Sequence, residues 1–177
     1  MIETTRLMIW PFEEDDLPAL YAILSDKDTM TYYPSSFNVA KTRSWIERNQ
    51  QRFVDDGFGL WAVVLKRTDE VIGDCDLVLQ TVEGTKEVEI GYHISNHYWG
   101  KGYATEATTA SQHYGFSTLK LSRLISIIDP ANISSVRVAE RTGLTFENEA
   151  YMFHKWQYIR YSHLRGNSSL ISLITVW

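Results

Sequence analysis

One cysteine in 177 residues, Cys75, leaves no intramolecular disulfide to form. Stability must therefore come from a packed core, and the expected setting is the reducing cytoplasm. Long apolar runs are also missing. Leu170 to Trp177 is the longest apolar-leaning stretch, broken by Ser172 and Thr175; it falls far short of the ~20 residues that cross a bilayer and reads as a strand, so no membrane association is expected. The opening Met1-Ile2-Glu3-Thr4-Thr5-Arg6 has an acid where a secretory leader carries net positive charge, and no export signal is expected. Basic charge is in deficit, with 17 Lys and Arg against 22 Asp and Glu and a net charge of −5. That balance argues against a broad nucleic-acid surface, whose affinity comes from neutralising phosphates, and it suits a cationic partner such as an amine.

What is present is the profile of a globular domain, with 44% hydrophobic residues and only 10 Gly and 4 Pro. No repeat, low-complexity tract or linker divides the chain, so a single domain spanning residues 1–177 is expected, burying roughly 70% of the surface its unfolded form exposes.

Arg6 to Phe12 reads as a strand. Asp15 and Asp16 then cap a short helix carrying Leu17, Leu20, Tyr21 and Leu24 at helical spacing. Asp28 to Asn38 reads as a loop, and a helix from about Val39 to Val54 follows with Gly57 beyond its end. Leu60 to Lys66 and Val71 to Gln80 are rich in β-branched and aromatic residues and flank a polar turn, which predicts an antiparallel hairpin. In the next strand Val88, Ile90, Tyr92 and Ile94 share one face, and Glu89, Gly91, His93 and Ser95 the other. A helix reaching Phe116, a strand from Ser122 to Ile128, and a helix from Asn132 to Thr142 ended by Gly143 come next. From Leu144 onward, strands and a long loop are expected.

Between strand and helix lies Trp99-Gly100-Lys101-Gly102-Tyr103-Ala104-Thr105. A glycine turn opening a helix presents free backbone N–H groups and the positive end of the helix dipole to one point, an arrangement that holds phosphate. Gly100, Gly102 and the small Ala104 let a diphosphate approach, and Lys101 adds charge at the rim. Thr105 stands where the dinucleotide fingerprint needs a glycine, and Gly102 follows Lys101 where a P-loop needs Ser or Thr, so both of those motifs fail. The same glycines also serve a plain strand-to-helix connection, and spacing alone leaves both readings open.

Glu89-Ile90-Gly91-Tyr92, the run Tyr98 to Ala107 reading YWGKGYATEA, Asn132-Ile133-Ser134-Ser135, and Glu140 to Phe146 together resemble the GNAT superfamily of N-acetyltransferases, more narrowly the branch that acetylates ribosomal-protein N-termini. The resemblance covers about the first 150 residues. It implies a mixed α/β fold whose central twisted, mostly antiparallel sheet is flanked by helices and splayed between its fourth and fifth strands to admit acetyl-CoA. It further implies that Trp99 through Thr105 bind the coenzyme diphosphate by backbone amides. Pantetheine would pair with backbone near Tyr92, His93 and Ile94, and Asn132 would bond the pantetheine arm. Trp99 departs from the family pattern of Gln or Arg at the start of the turn. Asn132 equally suits an ordinary N-cap.

Acetyl transfer to an amine needs a proton acceptor, because an alkyl ammonium has a pKa near ~10. Glu89 is the candidate base, with Asp74, Asp76 and His93 as rivals; a solvent-facing or paired carboxylate is its alternative role. Many GNAT enzymes protonate the leaving thiolate with a fourth-helix tyrosine, where this chain has Ala139. The resemblance to the narrower branch assigns that step to Ser135, which is also an ordinary first-turn serine. No metal site is expected, since His93 and His97 straddle a strand end and a loop. Cys75 reads as a packed strand residue. The function implied is an acetyl-CoA-dependent N-acetyltransferase acting directly on a primary amine. A non-catalytic acyl-CoA sensor, or an interaction domain pairing through Leu170 to Trp177, is the alternative, and that last strand also allows a homodimer.

Overall fold

The computed structural model describes residues 1–163 and 175–176. Period-two and helical segments alternate in the order β1 (Ile2–Glu3), β2 (Leu7–Trp10), α1 (Leu17–Ser25), α2 (Val39–Asp56), β3 (Leu60–Leu65), β4 (Glu70–Val82), β5 (Thr85–Ile94), α3 (Tyr103–Ser117), β6 (Arg123–Ile128), α4 (Ile133–Arg141), β7 (Thr145–Met152), β8 (Lys155–His163) and β9 (Thr175–Val176). Among the described residues the strands form one sheet in the order β7-β8-β6-β5-β4-β3-β2-β1-β9.

Local chemistry sets the helix ends. Asn38 Oδ1 accepts from Lys41 N at 2.8 Å and starts α2. A short 3-10 turn at Glu14–Asp16 precedes α1, with Asp16 Oδ2 accepting from Glu13 N at 2.8 Å. The β3–β4 hairpin forms as the sequence predicts. A second one follows, because β4 continues to Val82 and turns through Glu83 and Gly84. That turn lengthens β5 to ten residues and brings Val78 opposite Glu89.

Two apolar layers hold the sheet. Leu77, Ile90, Ile94 and Leu124 pack with Ala107 and Ala110 of α3 on one face. Leu60, Ala62, Val64 and Val78 pack with Leu20, Leu24 and Ile46 of α1 and α2 on the other. Each fully buried Leu or Ile contributes about 1.5–3 kcal/mol by leaving water. The alternation along β5 is the one the sequence predicts, with Val88, Ile90, Tyr92 and Ile94 all joining the α3 layer.

All neighbouring strands pair antiparallel except β5 and β6, which run parallel and pair only at Glu89 and Ile125. Beyond that point the strands diverge, and a side chain bridges the gap where Ser126 Oγ donates to the Ile90 carbonyl at 3.3 Å. With the two-residue Ile2–Glu3 strand left out of the count these are the fourth and fifth strands, and this is the expected splay.

The aromatic stretch after Leu144 forms the strands expected there. Through residue 163 it is a tight hairpin, β7 to β8, turning at Phe153 and His154 with φ of 54° and 66°. The aromatics pair across it edge to face, Tyr151 with Trp156 and Phe146 with Tyr158. Tyr151 and Trp156 are 60% and 58% exposed, and bulky rings on the solvent side erase the alternation that marks a strand. Of the predicted terminal strand, Thr175 and Val176 pair with β1; its other residues lie outside the described ones.

Candidate active site

The divergence of β5 from β6 opens a cavity of about 330 Å³, lined from β5 by Glu89 to His93, from β6 by Ser126 to Ile128, and from the start of α4 by Asn132 and Ser135. Tyr32, Tyr33 and Trp45 supply an aromatic wall, and Arg48 and Arg52 of α2 complete that side. Lys155 holds the β7–β8 turn over it, donating to the Tyr32 carbonyl at 2.8 Å and to Asp129.

Glu89 sits where the strands part. Gln80 Nε2 donates to its Oε2 at 2.7 Å, and the Ile127 amide reaches Oε1 at 3.4 Å. The cavity leaves part of the residue accessible while protein encloses the carboxylate. Desolvation pushes its pKa up to about 7, against the smaller opposing pull of the Gln80 and Ile127 hydrogen bonds. A carboxyl poised there exchanges protons at neutral pH.

His93, the neighbour of Glu89 on the same strand face, is fixed from behind. Its Nδ1 donates to Asp74 Oδ1 at 2.6 Å, and its backbone N–H reaches the same oxygen at 3.0 Å. Trp45 Nε1 occupies the other Asp74 oxygen at 3.0 Å. The Tyr33 ring lies 4.6 Å from the imidazole. Nε2, the acceptor nitrogen of this tautomer in a neutral ring, is buried without a hydrogen-bond partner among the described residues.

Asp74 is fully buried behind the histidine, so its role is to orient rather than to meet substrate. Asp76 is fully buried too, with its pKa well above the carboxylate range because burial removes its water. Neither lines the cavity. Cys75 packs against Ser111 with burial pushing its thiol pKa up, so it is no nucleophile.

At the α4 end, Asn132 Oδ1 accepts from Ser135 N at 3.1 Å, so the asparagine does cap the helix. It also lines the cavity, and its amide NH₂ is the group left for a ligand. Tyr92 Oη donates to the Ser135 carbonyl at 3.3 Å and crosses the opening from β5 to α4.

The glycine turn lies outside the cavity lining, between β5 and α3. Gly100 and Gly102 have φ of 74° and 82°, a left-handed conformation that costs glycine little. Gly102 is the N-cap of α3 and no side chain caps it, which leaves first-turn N–H groups for an anion. Arg6 Nη1 donates to the Lys101 carbonyl at 2.9 Å, and Arg6 Nε to Glu106 Oε2 at 2.6 Å, tying the turn to the β1–β2 connection. The Lys101 ammonium is taken by the His97 carbonyl at 3.0 Å. Tyr103, Ala104 and Thr105 form the first turn of α3. Ile94 is core, and its carbonyl accepts from Trp99 Nε1 at 2.7 Å, which gives the unusual Trp99 a structural task.

The family model for the acetyltransferase (GNAT) domain matches residues 6–145. The chain belongs to the GNAT acetyltransferase family. It is 36% identical over 153 residues to the uncharacterized protein YkkB of Bacillus subtilis, covering 86% of this chain and 89% of that one. It is 34% identical over 147 residues to the uncharacterized N-acetyltransferase YnaD of the same organism, covering 82% and 83%. A GNAT-family acetyltransferase structure from Bacillus anthracis superposes with a TM-score of 0.75 at 32% identity, covering 90% and 95% of the two chains. The protein is thus an acyltransferase, and acetyl transfer to an amine is its family's chemistry. Within that family Ala139 is 2% exposed and packs with Ile128 and Leu144, so the helix face that carries a tyrosine in many GNAT enzymes is core here.

Of the residues predicted from sequence, Glu89, Tyr92, His93, Asn132 and Ser135 meet around the cavity, whereas Ile94 and residues 99–105 lie apart from its lining. Sequence reasoning missed Gln80, the Tyr92 hydroxyl, and the pair Arg48 and Arg52. The two arginines carry a readable signal, four residues apart on one helix. Gln80 becomes visible only once the Glu83-Gly84 turn fixes the register. Among the described residues no cluster of three or more metal-ligating side chains occurs, and no helix is long and apolar enough to cross a membrane.

Proposed function

We propose that the protein transfers an acetyl group from acetyl-CoA directly to a primary amine, with Glu89 as the proton acceptor. The observation that carries this is a carboxyl with its pKa pushed up to about 7 at the one residue of β5 that pairs with β6, at the mouth of the splay. Residues 99–105 hold the diphosphate through their amides, and the unpaired edge of β5 beyond Glu89 together with Asn132 guides the pantetheine arm. The amine nitrogen attacks the thioester carbonyl carbon and its proton passes to Glu89. The C–S bond then breaks and the thiolate takes a proton relayed through the Ser135 hydroxyl, which is reprotonated from solvent in the same step. The reaction belongs in the reducing cytoplasm.

The test is calorimetric titration with acetyl-CoA, followed by release of free thiol with a panel of primary amines. Binding together with amine-dependent thiol release is expected. Binding without product from any amine supports instead a sensor, the reading that Ala139 favours; no binding at high micromolar acetyl-CoA overturns both.

A further inference from the structure

The acceptor side of the cavity has two chemically distinct ends. Glu89 lies on β5, where the amine must shed its proton. On the α2 wall stand Arg48 and Arg52, one helical turn apart and both lining the cavity. No carboxylate lies within ion-pair distance of either arginine among the described residues, and Arg52 makes a neutral contact, Nη1 donating to Asn49 Oδ1 at 3.1 Å. Elsewhere on the same helix Arg43 does find an acid, Glu14, at 3.1 Å. Two neighbouring guanidiniums on one helix face repel, with Arg52 partly buried and Arg48 exposed at the rim. Burial lowers the Arg52 pKa and Arg48 pushes the same way, against the smaller opposing pull of Glu89 and Asp56. A bound anion removes that cost, and guanidinium forks match the two oxygens of a carboxylate or the three of a phosphate.

Resting on the acetyltransferase reading of this site, we propose that the acceptor is a small zwitterionic amine, an amino group joined by a short chain to a carboxylate or a phosphonate-like group, whose anion is held by Arg48 and Arg52 while its nitrogen faces Glu89. Size points the same way as charge. A cavity of about 330 Å³ must also admit the acetyl-pantetheine tip, and Lys155 bridges from the β7–β8 turn to the Tyr32 carbonyl across it. That leaves room for a compact molecule rather than an extended chain. The net charge of −5 describes the whole surface, and this wall runs against it.

The experiment measures binding to the coenzyme A-saturated protein by calorimetry for glycine, β-alanine, 4-aminobutyrate and 6-aminohexanoate, for the alkylamines of matching length, for 2-aminoethylphosphonate, and for 1,4-diaminobutane and a short peptide amide. At least one carboxylated or phosphonated amine is expected to bind roughly 10- to 100-fold tighter than its matched alkylamine. The carboxylate and phosphonate arms distinguish the two anions. In Arg48→Ala and Arg52→Ala that preference ratio is expected to collapse toward one, and to return in part in Arg52→Lys. The proposal is overturned if alkylamine, diamine or peptide amide binds as well as the zwitterions, if no probe binds at millimolar concentration, or if the ratio survives in both alanine variants. Thiol release measured with the same set separates the two readings: zwitterion preference in binding with no acetylation leaves the anion site standing and removes the catalytic reading.

Discussion

Gln80 Nε2 and Glu89 Oε2 lie 2.7 Å apart across the β4–β5 hairpin, and this bond sets how far burial raises the carboxyl. Without it the ionised form loses a donor while the desolvation remains. Gln80→Leu should therefore move the alkaline-rising limb of the rate profile above pH 7, lowering the rate at neutral pH by about 3- to 10-fold and recovering it at higher pH. Steady-state rates across pH 6 to 9.5 check this.

Glu89 also links stability to pH. Its pKa rises from 4.5 to about 7 on folding, so the folded chain holds the proton more tightly than the unfolded one. That contribution is full below 4.5 and is lost as pH climbs through 7. Glu89→Gln keeps a neutral group at every pH. It should match the parent near pH 4.5 and exceed it by on the order of 2 kcal/mol at pH 8, measured by urea unfolding at both pH values. An equal stability at pH 8 would show that the carboxylate is better solvated than its enclosure implies.

Gly102 tests the proposed phosphate-binding turn. At φ of 82° a side chain is strained, and a Cβ would stand 3.4 Å from Arg6 Nη2. Gly102→Val should cost about 1–2 kcal/mol of stability and weaken acetyl-CoA by at least about tenfold, read by denaturant unfolding and calorimetry on the same sample.

The role proposed for Ser135 is a weaker one. A thiolate departs without strong acid assistance, so Ser135→Ala should slow turnover only about 3- to 10-fold while the α4 cap persists, since Asn132 bonds the residue 135 backbone rather than its hydroxyl. Pre-steady-state thiol release measures it.

The β5 face that carries Glu89 and His93 was legible because alternation along residues 88–94 is strict, and the α4 cap because Asn132 stands directly before helical spacing. The splay itself came from resemblance; nothing in the local pattern of β5 or β6 says that they pair at one residue. Gln80 was invisible without the turn at residues 83–84, and Asp74 looked like a rival base until its burial behind His93 showed it to be an orienting group. The β7–β8 hairpin was unreadable because exposed Tyr151 and Trp156 mimic core positions. Arg48 and Arg52 were overlooked because whole-chain charge pointed to acidity.

The pH dependence of kcat/KM for the acetylated amine, compared between the parent and Glu89→Gln, tests the central claim most directly. The account predicts a parent profile rising through an apparent pKa of about 7, and a variant that is at least about 100-fold slower and lacks that limb. A variant that keeps both the rate and the limb at pH 7 would contradict it and pass the proton to another group.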